Sequence, residues 1–287
     1  MTSGLKNVLS IDVEDYYQVS NFAHLVSFER WAEFESRVER NTAILLEVLA
    51  DAAIKGTFFI LGWVAQRHPS LVAEIAAAGH EVATHGYRHR LIYDLEPAEF
   101  RGDLQQSVDL IEQASGQRVL GHRAPSFSIT TRNAWAIDIL QEEGLLYDSS
   151  IFAVRHPRYG IPDAPRAPYE IRPGFWEFPM ATVRFGSTNL PVAGGAYFRL
   201  YPYALTRRGV RRINREGLPA MIYLHPWEVD PEQPRLPTSL QARLRHYTNL
   251  KKTEPRLRKL CREFQFATAA EVLWLAPRPS DAVLTTP

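Results

Sequence analysis

The chain has 287 residues, of which 45% are hydrophobic and 23% charged, with a formal net charge of +1. That is apolar material enough for a sizeable core. The near-zero charge excludes an overall field that would gather nucleic acid or an anionic membrane. A single cysteine, Cys261, excludes an internal disulfide.

Val8 to Ile11 predicts a buried strand that ends at Asp12. Tyr16 to Trp31 is aromatic-rich without clear periodicity and reads as a loop over one face. Arg37 to Ala53 carries apolar residues at helical spacing and stops at Lys55-Gly56, before a second strand at Thr57 to Leu61. Pro69 to Ala78 predicts a helix with a proline start and Gly79 as its stop. Glu81 to Thr84 is a third strand and delivers His85. Pro97 to Ala114 is a long amphipathic helix closed by Gly116, and Val119 to His122 is a fourth strand that delivers Arg123. Thr131 to Glu143 predicts a helix stopped by Gly144, and Leu145 to Asp148 a fifth strand. Five prolines make Phe152 onward a loop, until Phe175 to Pro179 reads as a strand. Tyr203 to Glu216 is a helix stopped by Gly217, and Ala220 to Leu224 is a strand that delivers His225. The basic stretch from Arg235 to Arg262 predicts one or two helices. It reads as a solvated face, or as one that meets an anionic substrate or lipid headgroup. Phe264 to Thr268 and Ala269 to Trp274 are candidates to close a barrel, and Pro277 to Pro287 reads as a frayed tail.

The repeated strand–helix order argues for a parallel sheet. Asp12, His85, Arg123 and His225 each stand at or just past the C-terminal end of a different predicted strand. In a closed barrel those ends meet on one face, where barrel enzymes keep their active sites. The expected fold is therefore an α/β distorted (β/α) barrel of about seven parallel strands. Residues 1–287 are expected to form one domain, with 235–287 a C-terminal helical extension packed on the barrel. No apolar run reaches the roughly 18 residues of a membrane span. The first residues carry no signal-peptide pattern, so a cytoplasmic location is expected.

His85 and His89 lie four residues apart in His85-Gly86-Tyr87-Arg88-His89. If Gly86 to His89 open a helical turn, both rings project from one side. Neutral imidazole suits zinc and similar ions, but a site needs three or four donors. A carboxylate must come from elsewhere, and Asp12-Val13-Glu14-Asp15 offers one. Taken singly, these residues are ordinary: strand-end acids, a turn histidine at 225, an ion-pair arginine at 123, core tryptophans at 176 and 227. Asp148 and Glu177 read either as partners of Arg123 or as loop acids. Co-occurrence at one expected face lifts the functional case.

These residues in this order resemble the polysaccharide deacetylase superfamily, the NodB-homology enzymes also called carbohydrate esterase family 4. His-Gly-Tyr-Arg-His at 85–89 is similar to its paired-histidine motif, Arg-Ala-Pro at 123–125 to its arginine motif, and Leu224-His225 to its final motif. The Asp-Val-Glu-Asp-Tyr-Tyr start and Trp-Glu-Phe-Pro at 176–179 look most like the exosortase-associated branch linked to exopolysaccharide assembly. The resemblance implies a metal-dependent N-deacetylase acting on an N-acetylated exopolysaccharide or its precursor. It implies one divalent ion held by Glu14, His85 and His89, with zinc the first choice and cobalt or manganese the alternatives. Asp12 is then the general base, Arg123 its partner, and His225 the general acid. The Ser126 backbone N–H joins in binding the oxyanion, and Trp176 and Trp227 wall the sugar.

The first motif departs from the family's two adjacent aspartates: Val13 separates Asp12 from Glu14, and Asp15 competes with Glu14 as ligand. The arginine motif reads Arg-Ala-Pro-Ser-Phe, where a tyrosine often follows the proline. Two other readings stand beside the deacetylase: a hydrolase of another linear or cyclic amide, and a non-catalytic carbohydrate-binding relative.

Overall fold

The computed structural model describes residues 4–192 and 194–275; the expected tail at 277–287 lies outside them. Strand β1 (Asn7–Val13) is buried along its whole length. A strand covered on both faces reads as an unbroken apolar run, which is why it was legible. Helix α1 (Val38–Asp51) leads to β2 (Thr57–Ile60), then to α2 (Gly62–Arg67) and α3 (Pro69–Ala77), and on to β3 (Glu81–Thr84). Helix α4 (Pro97–Ser115) starts at a reciprocal Glu96/Glu99 cap with proline at its first turn, and ends at Gly116 with φ 67°. Only a residue without Cβ takes that left-handed turn cheaply.

Strand β4 (Gly121–His122), helix α5 (Trp135–Glu142) and β5 (Tyr147–Asp148) follow. The proline-rich loop hides a short strand, β6 (Tyr169–Arg172), that turns back antiparallel onto β7 (Phe175–Glu177). Next come a two-stranded hairpin, β8 (Thr182–Phe185) with β9 (Thr188–Pro191), and the short helix α6 (Gly195–Leu200). Helix α7 (Tyr203–Arg215) and β10 (Met221–Leu224) complete the repeat. The basic stretch folds into α8 (Leu240–Tyr247) and α9 (Thr253–Glu263), and β11 (Phe266–Ala267) and α10 (Ala269–Val272) finish the described chain.

The main sheet runs β10-β1-β2-β3-β4-β5-β7-β6. Its first seven strands are mutually parallel, and β6 is antiparallel at the edge. This is a distorted (β/α) barrel. The expectation that the C-terminal segment closes it fails. Strand β11 pairs instead with the start of β1, Asn7 opposite Phe266 and Val8 opposite Ala267. Among the described residues no strand bridges β10 to the β7–β6 edge, and the curled sheet stays open there. Leu257, Leu260 and Cys261 of α9 share one hydrophobic core with Leu9, Ile11 and Val13 of β1.

Candidate active site

Successive residues of a strand point to opposite faces. On β4 and the residue after it, His122 points out toward α4, edge-on to Phe100, and Arg123 points into the barrel. Arg123 is fully buried. Its Nη1 donates to Asp12 Oδ1 at 2.5 Å and to Ser10 Oγ at 2.9 Å. Its Nη2 donates to Ser149 Oγ at 3.1 Å and its Nε to the Ser149 carbonyl at 3.2 Å. Its guanidinium carbon lies 4.0 Å from the centre of the Phe59 ring. Every donor is spoken for, so Asp12 Oδ1 is held in place and Oδ2 is left facing the cavity.

Glu14, just past β1, meets the paired histidines. One donor atom from each of Glu14, His85 and His89 lies within 4.8 Å of the other two. The helical turn expected at 86–89 does not form. Gly86 and His89 both have positive φ, 73° and 53°, so the loop doubles back tightly. The Asp103 carboxylate pins it by accepting from the Tyr87 N–H at 2.7 Å. The two imidazoles still meet, with ring centres 5.3 Å apart. A histidine in left-handed backbone costs about 1 kcal/mol, a strain tolerated where function holds it.

The chemistry of these donors fits a divalent cation. His85 Nδ1 lies 2.7 Å from the Arg123 carbonyl oxygen. A carbonyl only accepts, so Nδ1 carries the proton and Nε2 keeps a free lone pair. Burial, with the neighbouring His89 ring, holds His85 well below the usual histidine range, so the ring is neutral. Glu14 Oε2 is buried 2.9 Å from His89 Nε2, yet it makes no hydrogen bond. An orphaned buried carboxylate oxygen is costly unless a cation takes its lone pairs. Two neutral imidazoles and one carboxylate are a known catalytic zinc set with room for a fourth ligand. Asp15 takes no part. Its carboxylate turns away to accept from Ser36 Oγ at 2.7 Å and from the Arg37 N–H at 3.0 Å, at the start of α1. Burial outweighs those bonds and pushes Asp15 up to about 6.

His225 stands opposite. Its Nε2 lies 3.5 Å from Glu14 Oε1 and 4.0 Å from Asp12 Oδ2. Its Nδ1 donates to Glu228 Oε1 at 2.7 Å. Glu228 also accepts from Arg199 Nε at 2.5 Å. Arg199 in turn donates to the carbonyls of Arg245, His246 and Thr248. Burial works against a charged His225 ring, but the Glu228 bond and the Glu14, Glu228 and Asp12 charges outweigh it and push His225 up to about 9. Glu228 and Arg199 were missed in the sequence. Glu228 left a signal, because it sits three residues after His225 with Pro226 between, the spacing of a reciprocal helix cap. Arg199 left none.

The two tryptophans expected to wall the sugar are placed differently. Trp176 lies outside the cavity. It pairs with Tyr147 across the sheet and packs against the apolar cluster that also holds Phe59 and Met221. Trp227 lines the cavity but is 4% exposed, stacked on both His225 and His246 with ring centres 5.0 and 4.0 Å away. Its indole N–H donates to Glu14 Oε1 at 3.3 Å, so it also positions that acid. Ser126 does line the cavity, with φ 53°, and the next residue, Phe127, has φ 56°. Its hydroxyl meets Ser20 Oγ at 2.7 Å.

Asp148 and Glu177 are not partners of Arg123. With His122 they form a buried row across β4, β5 and β7 on the outer face of the sheet. His122 Nδ1 lies 2.7 Å from Asp148 Oδ1. Burial and the Asp148 charge hold the Glu177 carboxyl well above its usual range. Ser150 links this row to the site: its Oγ donates to Asp148 and accepts the Ala124 N–H, both at 2.7 Å.

All of this opens on one cavity of about 110 Å³ that Asp12, Glu14, His85, His89, Ser126 and His225 line. The donors stand on the C-terminal face of the barrel, where barrel enzymes keep their active sites. Residues 29–145 match the polysaccharide deacetylase family; residues 149–274 match a domain family of unknown function, DUF3473. Asp12 and Glu14 precede the first match, and His225 lies in the second.

A peptidoglycan deacetylase-like protein of Gibberella zeae is 34% identical over 109 residues, 37% of this chain and 31% of that protein. A chitooligosaccharide deacetylase of Rhizobium leguminosarum bv. trifolii is 31% identical over 99 residues, 34% of this chain and 43% of that one. The chain thus spans less than half the length of these curated relatives. Among solved structures, a Mycobacterium smegmatis protein assigned as a polysaccharide deacetylase superposes with TM-score 0.61 at 20% identity, covering 99% of this chain and 96% of its own. The family 4 carbohydrate esterase of Streptomyces lividans gives 0.52 at 17% identity, covering 92% of each. These likenesses establish the fold. Among the described residues no helix is long and apolar enough to cross a membrane.

Proposed function

We propose that the protein is a divalent-metal-dependent hydrolase that removes N-acetyl groups from the amino sugars of a glycan, an exopolysaccharide or its precursor. One observation carries this reading. An arginine-clamped carboxylate, a three-donor cluster and a carboxylate-held imidazole converge on one cavity, with His225 Nε2 within 4.0 Å of both acids.

Hydrolysing an acetamide takes a deprotonated water, a stabilised oxyanion and a proton for the departing amine. A divalent ion bound to Glu14, His85 and His89 would supply acidity to the water and polarise the carbonyl. Asp12 Oδ2, the oxygen that Arg123 leaves free, takes the proton of the attacking water. Arg123 keeps that carboxylate aimed through its bond to Oδ1. The Ser126 backbone N–H donates to the developing oxyanion. His225 Nε2 gives its proton to the amine nitrogen, while Glu228 holds the ring through Nδ1–H. Residues 1–287 act as one domain in this reading, with 235–287 packed on the barrel. The exosortase-associated assignment rests on the start at 12–17 and on Trp176 to Pro179.

The test is acetate release from chitotetraose after chelation and reloading with zinc, cobalt or manganese. Acetate and free amine should appear in equal amounts with metal and vanish in His89→Ala. Release that survives chelation would refute the reading. Binding of the oligomer without any release would favour the carbohydrate-binding relative.

A further inference from the structure

Arg158 and Arg245 both line the mouth of the cavity. Among the described residues neither side chain has an ion-pair or hydrogen-bond partner. The lining holds two carboxylates, Asp12 and Glu14, and both are engaged on the floor, by Arg123 and by the histidines. Arg199, the third arginine of the lining, is matched by Glu228. Positive charge is therefore left over at the mouth alone.

The two guanidinium groups share a neighbour in His156. Besides its burial, His156 feels both the Arg245 and the Arg158 charge. Its ring stacks on Tyr159 at 3.8 Å and 17°, and Tyr159 lines the cavity. The helix end carrying Arg245 is clamped, because its carbonyl accepts from Arg199 Nη2 at 2.8 Å. Arg245 also belongs to the segment 235–252, which has five lysines and arginines and no acid. A neutral glycan has no use for two unmatched forks beside the reacting centre. Arginine forks match carboxylate and phosphate geometry.

We propose that the glycan carries an anionic group, a carboxylate or a phosphate, close to the scissile acetamide, and that Arg158 and Arg245 bind it. This rests on the deacetylase reading and narrows its substrate class.

Three soluble probes separate the sources: chitotetraose is neutral, a hyaluronan tetrasaccharide carries carboxylates, and UDP-N-acetylglucosamine carries a pyrophosphate. Binding is measured by calorimetry on metal-free protein, and acetate release on metal-loaded protein. One anionic probe should bind at least about tenfold more tightly than chitotetraose at low salt, about 1.4 kcal/mol. The gap should close near 1 M salt, where the Debye length is roughly 3 Å. The double variant R158Q/R245Q should bring the ratio to about one. Equal binding of all three probes, or a gap that survives in the double variant, overturns the proposal. Acetate from chitotetraose with no gap sinks this inference alone, whereas no acetate from any probe sinks the deacetylase reading.

Discussion

Glu14→Ala and Asp15→Ala should fail in different ways, although the two acids are adjacent. Glu14 Oε2 faces His89 Nε2 at 2.9 Å and has no hydrogen bond. Asp15 is bonded to Ser36 Oγ and the Arg37 N–H, across from the cavity. Changing a residue that merely supports a metal ligand costs about 10–100-fold in affinity, so removing Glu14, one of three donors, should cost more than about 100-fold. Asp15→Ala should leave the affinity alone and instead orphan the N–H that opens α1. Losing such a cap costs about 1–2 kcal/mol, which in a chain of this size lowers the melting temperature by about 2–3 °C. The assay is zinc content after equilibrium dialysis, paired with thermal melts with and without zinc. An ion that binds only the folded state at about 100 times its Kd adds about 2.7 kcal/mol. Asp15→Ala should keep that zinc-induced rise, and Glu14→Ala should lose it. A variant of Asp15 that loses zinc, or one of Glu14 that keeps it, refutes the donor assignment.

Asp12→Asn should keep its metal and lose about 10²–10⁴-fold in kcat; undiminished turnover removes Asp12 as base. Glu228→Gln leaves the buried Arg199 without a counter-charge. That should lower stability by about 3–5 kcal/mol, read as a lower urea midpoint at constant m-value, and an unmoved midpoint would show the pair to be dispensable. His80 accepts the Gly56 N–H at Nδ1, and burial, with the Lys55 charge, pushes it down to about 4. The unfolded chain then binds more protons between about 6.5 and 4, so this stability is full above that window and is lost as pH falls through it. At roughly 2.5 units the loss is at most about 3 kcal/mol. His80→Asn, whose amide oxygen can take the same N–H, should flatten the acid limb of stability against pH; an equally steep limb would exonerate His80.

The strand ends were legible because each site residue directly follows a run buried on both faces. Asp12, His85, Arg123 and His225 needed only the β–α order to be brought to one end of the sheet. The outer shell was not legible. Helix α6 is six residues long, too short to show a period, and it carries Arg199. The hairpin at 182–191 has an exposed strand face and no strong alternation. The helical turn drawn for 86–89 failed because spacing alone cannot report that Asp103, in another element, bonds the loop in a left-handed form. One sequence cannot show that two imidazoles stack on Trp227. The choice of Glu14 over Asp15 rested on the resemblance, because which of them turns inward depends on Ser36 and Arg37, some twenty residues away.

Charge pairing explains why the site has this composition. Asp12 is matched by Arg123 and Glu228 by Arg199, each at 2.5 Å. Glu14 has no arginine. Around it stand His85, held neutral by burial, then His89 and His225. A lone buried carboxylate is expensive, so its surroundings must supply a positive charge. Without an ion, His225 is the group placed to do so, 3.5 Å away and held protonated by Glu228 as well. With a divalent ion on Glu14, His85 and His89, Glu14 no longer draws on that proton. In the proposed reaction His225 is then free to release it, and the nearest demand would be the amine leaving the tetrahedral carbon.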